Sequence, residues 1–167
     1  MTSPVRLAVL APGDQAEFVA AAVRSRRLHR PWVSAPADTA AFRAFLARTK
    51  GDANRPLVVR HARTGDMVGF IHISNIIRGT FHSAYLGYYA FAGFERQGLM
   101  HAGLRLAVKH AFTELKLHRL EANIQPGNLP SIALVRSCGF RLEGYSPRYL
   151  KIGGRWRDHE RWAILAR

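Results

Sequence analysis

The run Phe94-Glu95-Arg96-Gln97-Gly98-Leu99-Met100-His101-Ala102-Gly103 is the part of the chain that most plainly offers chemistry. It is polar and glycine-bearing, and it separates an aromatic, strand-like stretch from a long amphipathic one. A helix beginning here presents amide donors with no intrahelical partner and a partial positive charge. A loop curled over that terminus makes a cradle for a pyrophosphate. Gly98 lets backbone approach phosphate, Arg96 adds charge, and Gln97 adds hydrogen-bonding capacity. The same run also reads as an ordinary strand-to-helix connection.

Other reactive types read more plainly. Cys138 is the only cysteine, and the eight histidines form no HExxH or comparable cluster, so neither a disulfide nor a bound metal is expected. Tyr85, Tyr88 and Tyr89 read as sheet-face aromatics, and Asp158-His159 as a cross-strand hydrogen-bonding pair. Asn128 follows Pro126-Gly127 as a turn residue. Ser131 suits a helix cap, and Glu121 an ion pair with Arg119 or Arg141. Trp32 staples its proline-bearing loop to the core.

The elements that must position these residues follow from periodicity. A strand is predicted over 5–10, a helix over 14–25 with Asp14 as N-cap, and a loop over 28–37. A second helix follows Asp38, burying Phe42, Phe45 and Leu46. Stretches 57–60 and 67–73 read as a hairpin about Arg63-Thr64-Gly65-Asp66, and 83–91 as a further strand. The longest helix is predicted over 99–115, with Leu104, Ala107, Val108, Ala111 and Phe112 as its apolar stripe. A strand over 121–124, a helix over 130–137 and strands over 140–150 and 156–165 complete the order. This is mixed α/β, with strand, helix, strand, helix in the second half, an order suited to a cofactor at strand ends.

At 167 residues and 48% hydrophobic content, 1–167 is expected to form a single domain. No apolar run reaches the roughly 18 residues of a membrane span, and the first ten residues lack a secretory pattern. A cytoplasmic protein is expected, with no membrane partner. Against 11 acidic residues stand 25 Lys and Arg, a net charge of +14. That balance favours acidic partners: RNA, a ribosomal surface, an acidic peptide or a phosphate-rich cofactor. Arg24, Arg26, Arg27 and Arg30 equally fit solvated helix ends. Monomer and homodimer both remain open.

Three segments, YLGYYAFAGFERQGLMHAGLRLAVKHAF, HRLEANIQPGNLPSIALVRSCGF and LEGYSPRYLKIGGRWRDHE, resemble successive core motifs of the GNAT acetyltransferases in order and spacing. The resemblance runs from about residue 58 to the end, with a weaker match in LHRPW at 28–32. Together the motifs are most similar to the ribosomal-protein-alanine N-acetyltransferase branch. The resemblance implies an α/β (α+β) GNAT fold, with a mixed, mostly antiparallel sheet of six to seven strands splayed at a cofactor cleft. Acetyl-CoA is the implied co-substrate, with no metal.

It further implies that Arg96, Gln97, Gly98, Leu99, Met100 and His101 wrap the CoA pyrophosphate. The strand Tyr88 to Phe91 would offer main chain to pantetheine and thioester, and an amide of Tyr89, Ala90 or Phe91 would hold the oxyanion. Asn128 would contact pantetheine, and Trp32 and Tyr85 the acceptor. The loop departs from the family pattern at Glu95, whose charge must point away from phosphate or pair with Arg96, and at Met100. The tyrosine that usually protonates the leaving thiolate is replaced by Val135, which directs attention to Ser131. Glu121 is the candidate base.

The reaction so implied is attack of a neutral amine on an acetyl thioester. An α-amino group, with a pKa of about 7.7–8.0 against about 10.4 for lysine, needs only modest help from a base. Three functions follow: acetylation of a protein N-terminus such as a ribosomal alanine, acetylation of a small amine, amino acid or antibiotic, or RNA binding without activity.

Overall fold

The β5 strand (Arg119–Ile124) shows how sequence becomes sheet here: Leu120, Ala122 and Ile124 are buried, while Arg119, Glu121 and Asn123 point the other way. The computed structural model describes residues 3–167. Among them, β5 joins β1 (Val5–Val9), β2 (Arg55–His61), β3 (Met67–Ile77), β4 (Ser83–Ala90), β6 (Arg141–Ile152) and β7 (Arg155–Leu165) in one seven-stranded sheet, ordered β1-β2-β3-β4-β5-β7-β6. Every neighbouring pair is antiparallel except β4 and β5. That parallel pair has three rungs, ending at Tyr85↔Glu121. Beyond it β4 continues to Ala90 and β5 to Ile124 with no pairing between them, so the sheet splits, as the resemblance implied.

Helices cover both faces. The longest, α4 (Leu99–Thr113), buries Leu99, Met100, Gly103, Leu104, Ala107 and Ala111 at helical spacing. Val108 and Phe112, placed in the same stripe by periodicity, pack at its margin. On the opposite face lie α1 (Gln15–Arg24), α2 (Arg26–His29) and α3 (Thr39–Arg48). Their core centres on Phe18, whose ring lies 5.3 Å from Phe42, 5.7 Å from Phe70 and 5.4 Å from Phe91. The last helix, α5 (Leu129–Ser137), follows β5. No helix among the described residues is long and apolar enough to cross a membrane.

Several expectations are corrected. Asp14 occupies the N-cap position of α1 as expected, but its side chain bonds no first-turn amide: one oxygen accepts the Ala11 N–H at 2.9 Å, and the other meets Arg60 at 2.7 Å. The anticipated loop over 28–37 begins later, because Leu28 and His29 close α2. The hairpin strands extend beyond 57–60 and 67–73, since flanking polar residues such as Arg55 and Asn75 join the ladder region without matching an apolar alternation.

His72, in β3, gives the fold a pH dependence. Burial pushes its imidazole down to about 4, and its Nε2 lies 3.0 Å from Asn54 Oδ1. The unfolded chain therefore takes up a proton near pH 6.5 that the folded chain refuses. Stability is full above that value and falls as pH drops towards 4, by roughly 2–3 kcal/mol from this residue. His29 is shifted in the same direction. Urea unfolding across pH 4–7.5 should show this slope, and His72→Gln, which retains a donor for Asn54, should flatten it. An equal slope in the two proteins would remove His72 as its source.

Candidate active site

The split between β4 and β5 opens into a cavity of about 510 Å³. Three pieces of chain form its walls: the end of α2 with the loop after it, the β4 terminus leading into α4, and the first turns of α5.

The segment between β4 and α4 takes left-handed backbone three times in six residues, at Gly93 (φ 99°), Arg96 (φ 61°) and Gly98 (φ 74°). It is thereby curled over the α4 N-terminus. Gly98 is the N-cap and has no side chain to bond the amides of the first turn. Those amides stay open towards the cavity, which Gly98, Leu99, Met100 and His101 line together with Arg96. Glu95 accepts the Gly93 N–H at 2.6 Å, and Gln97 Nε2 donates to the Gly93 carbonyl at 3.0 Å. Glu95 is thus bonded to its own loop rather than paired with Arg96. Gln97 also braces the loop and does not line the cavity.

A second set of contacts fixes the end of β4. Ser25, fully buried, donates to the Ala21 carbonyl at 2.6 Å and accepts the Ala92 N–H at 2.8 Å. His29 Nε2 lies 2.7 Å from the Ala90 carbonyl, with its ring 4.8 Å from Tyr89. Burial lowers the His29 pKa, partly offset by that carbonyl, so the ring is neutral and Nε2 carries the donated hydrogen. The Phe91 N–H donates to the Val68 carbonyl at 2.8 Å. Along an antiparallel ladder such donors alternate, so among Tyr89, Ala90 and Phe91 it is Ala90 whose N–H faces the split.

On the third wall Asn128 is the N-cap of α5, its Oδ1 accepting from the Ser131 N–H at 3.4 Å. The capping role expected of Ser131 therefore belongs to Asn128, three residues earlier. The Ser131 hydroxyl is instead 2.7 Å from the Tyr88 hydroxyl, which is also 3.0 Å from the Ser131 carbonyl. Burial drives the Tyr88 phenol well above its ordinary pKa, so it stays protonated. Trp32 crosses to this wall: a Cβ on Gly127 would stand 3.2 Å from its Cη2.

Of the residues singled out from sequence, Trp32, Tyr89, Ala90, Arg96, Gly98, Leu99, Met100, His101, Asn128 and Ser131 line the one cavity. Phe91 does not, because its ring is fully buried in the Phe18 cluster. Tyr85 is 41% exposed at the last β4–β5 rung, outside the cavity. Glu121 is also outside it, its carboxylate 2.9 Å from Arg119, which in turn meets Glu143 at 2.6 Å. Sequence reasoning missed His29 and gave Tyr88 a main-chain role while taking its side chain for a sheet-face aromatic. The histidine is visible in LHRPW, and parity along β4 sets Tyr88 with Ala84 and Leu86 on the face away from Tyr85 and Tyr89.

A family description, acetyltransferase (GNAT) domain, matches residues 5–141. The chain belongs to the GNAT acetyltransferase family. It is 40% identical over 99 residues to the probable N-acetyltransferase YjcK of Bacillus subtilis, covering 59% of this chain and 55% of that protein. It is 39% identical over 94 residues to the [ribosomal protein uS5]-alanine N-acetyltransferase of Escherichia coli, covering 56% and 48%. The chain thus spans about half the length of these curated relatives. Among solved structures, Mycobacterium smegmatis RimJ in complex with CoA-disulfide superposes with a TM-score of 0.89 at 29% identity, covering 97% of this chain and 82% of that one. The motif resemblance to the GNAT family and its ribosomal-protein branch is borne out by these matches.

Proposed function

We propose that the chain transfers an acetyl group from acetyl-CoA to a primary amine, the α-amino group of a protein N-terminus, with a ribosomal-protein alanine as the acceptor that its relatives favour. The observation that carries this reading is the juxtaposition, in one cavity at the β4–β5 split, of open helix-terminal amides, a free strand amide and a half-buried hydroxyl pair. The cavity is large enough for the arm of an extended cofactor.

The residues present fit CoA. The Gly98 to His101 amides and Arg96 suit its pyrophosphate, and Asn128 suits the pantetheine arm. Acetyl-CoA, when bound, supplies an activated acetyl thioester. The Ala90 N–H, held in place through His29, is aimed to stabilise charge on an acyl oxygen. The Ser131 hydroxyl is the donor for a departing sulfur. Trp32 borders the side from which an acceptor amine would enter, and donor and acceptor would meet in a single ternary complex.

An N-terminal acceptor is already substantially neutral at cellular pH, so a solvent-relayed proton suffices. The Arg119 pairing leaves Glu121 with a bracing task. Glu121→Gln is accordingly expected to keep kcat/KM within about threefold of the parent protein from pH 7 to 9, a small effect for an acid–base candidate. A drop near a hundredfold at pH 7 that closes by pH 9 would restore Glu121 as the base.

The charge supports an acceptor in an anionic setting such as the ribosome in the cytoplasm. Among the described residues only Arg60 and Arg119 of the 25 basic residues are ion-paired. The test is a panel of N-terminal peptides, polyamines and aminoglycosides incubated with acetyl-CoA and read by mass spectrometry. Alanine-terminal peptides should gain one acetyl group at the α-nitrogen. Modification of small amines alone would overturn the acceptor, and no calorimetric binding at high micromolar CoA would overturn the whole reading.

A further inference from the structure

Tyr88 and Ser131 come from elements 43 residues apart, yet their hydroxyl oxygens are 2.7 Å apart at the cavity wall. The Tyr88 hydroxyl has one hydrogen and two acceptors within reach, the Ser131 carbonyl at 3.0 Å and Ser131 Oγ. When it donates to the carbonyl, the serine hydroxyl can donate to the tyrosine oxygen, and both hydrogens are used within the pair. When it swings to Oγ, the serine hydrogen is released to point elsewhere while its oxygen remains bonded.

We infer that Tyr88 is a positioning residue that switches the Ser131 hydroxyl from a self-satisfied state to one aimed at the sulfur of CoA. The inference rests on the acetyl-transfer reading above. In the resting state no donor in the pair is wasted, so the half-buried hydroxyls cost little without a ligand. In the loaded state a chain of two hydrogen bonds ends on sulfur, and each bond polarises the next. The high Tyr88 pKa ensures that it remains a donor and never becomes a phenolate. No proton leaves the pair. As the amine nitrogen bonds to the acyl carbon and the carbon–sulfur bond breaks, sulfur keeps the bonding electrons and is held by the Ser131 O–H. It then takes its proton from solvent, to which the amine nitrogen has lost its own.

This device stands where Val135 leaves no tyrosine on α5 to act directly. The tyrosine here is on β4 and works through a serine.

The test uses the folded chain with CoA itself and needs no acceptor. The thiol pKa of bound CoA is followed by thiolate absorbance in the parent, Tyr88→Phe, Ser131→Ala and the double variant, each checked for an unchanged unfolding midpoint. The parent is expected to hold the thiol about one unit below its free value. Each single variant should return most of that shift, and the double variant should add nothing to Ser131→Ala. With acetyl-CoA and an accepted peptide, both single variants should lose about tenfold in kcat with KM for acetyl-CoA within about twofold, the scale of one hydrogen bond to a charged group. If Tyr88→Phe acts equally in the parent and in the Ser131→Ala background, or leaves the thiol pKa unchanged, Tyr88 is only a packing residue and the switch is overturned. A parent that binds CoA and shifts its thiol but acetylates nothing would instead overturn the function while leaving the switch standing. Should Tyr88→Phe lower the unfolding midpoint, the comparison in the Ser131→Ala background still separates the two roles.

Discussion

Gly69→Val is expected to destabilise the protein by about 3 kcal/mol, at the upper end of overpacking effects, and to weaken CoA binding at the same time. A Cβ at position 69 would stand 2.3 Å from Met100 Sδ and 2.7 Å from the Tyr89 carbonyl oxygen. The methionine can swing aside, because its side chain is flexible. The carbonyl cannot, because it belongs to β4, whose Ala90 is register-paired with Gly69 itself. A valine must therefore push β3 and β4 apart at the rung that ends the ladder, or lift the first turn of α4. Either movement displaces the Ala90 amide relative to the open α4 amides. Urea denaturation should show a lower midpoint with an unchanged m-value, and calorimetry a CoA affinity reduced by tenfold or more. A Gly69→Val protein with parental stability would mean that α4 does not bear on β3 at this point.

The elements of this fold were legible wherever the information is local. The alternation Leu120, Ala122, Ile124 and the helical spacing of Leu104, Ala107 and Ala111 are patterns that a strand and a helix need whatever lies above them. The turn at Gly65 is equally local, and so was the placement of the loop before α4. Pairings across the chain were not legible. Asp14 takes the N-cap position its sequence suggests, but its carboxylate is drawn to Arg60, 46 residues away, rather than to the first-turn amides. Ser131 looks like a cap until the α5 start is fixed at Leu129, which makes Asn128 the cap and frees the serine. Tyr88, Tyr85 and Tyr89 have the same local signature, yet only Tyr88 shares a face with α5. Glu121 looked like a base because a carboxylate on a cleft strand invites that role, and its second-neighbour Arg119 was a visible rival. Glu143, which completes that bridge from β6, depends on β7 lying between β5 and β6 in the sheet. Such contacts follow from topology, which single-strand periodicity does not specify.

The second large effect belongs to Gly98, whose replacement should separate cofactor affinity from folding more cleanly than any change at Gly69. Its backbone lies at φ 74°, ψ 0°, and a Cβ there would meet no heavy atom within 4 Å. Space is thus no obstacle to a side chain; backbone conformation is. A β-branched residue held in that region is strained by about 1–3 kcal/mol. The cheapest relief is to rotate the 97–99 peptides out of the left-handed region, since the loop is bonded mainly to itself through Glu95 and Gln97. That rotation turns the first α4 amides away from the cavity. Gly98→Val is therefore expected to raise KM for acetyl-CoA by about thirtyfold or more, from strain together with lost phosphate contacts. It should alter global stability by less than Gly69→Val does, because the α4 core residues Leu104, Ala107 and Ala111 lie beyond the distortion. Gly98→Asn, whose short polar side chain tolerates the left-handed region, should recover most of the affinity. If valine and asparagine raise KM alike, the side chain itself obstructs the site; if neither does, the amides at this terminus do not hold the coenzyme.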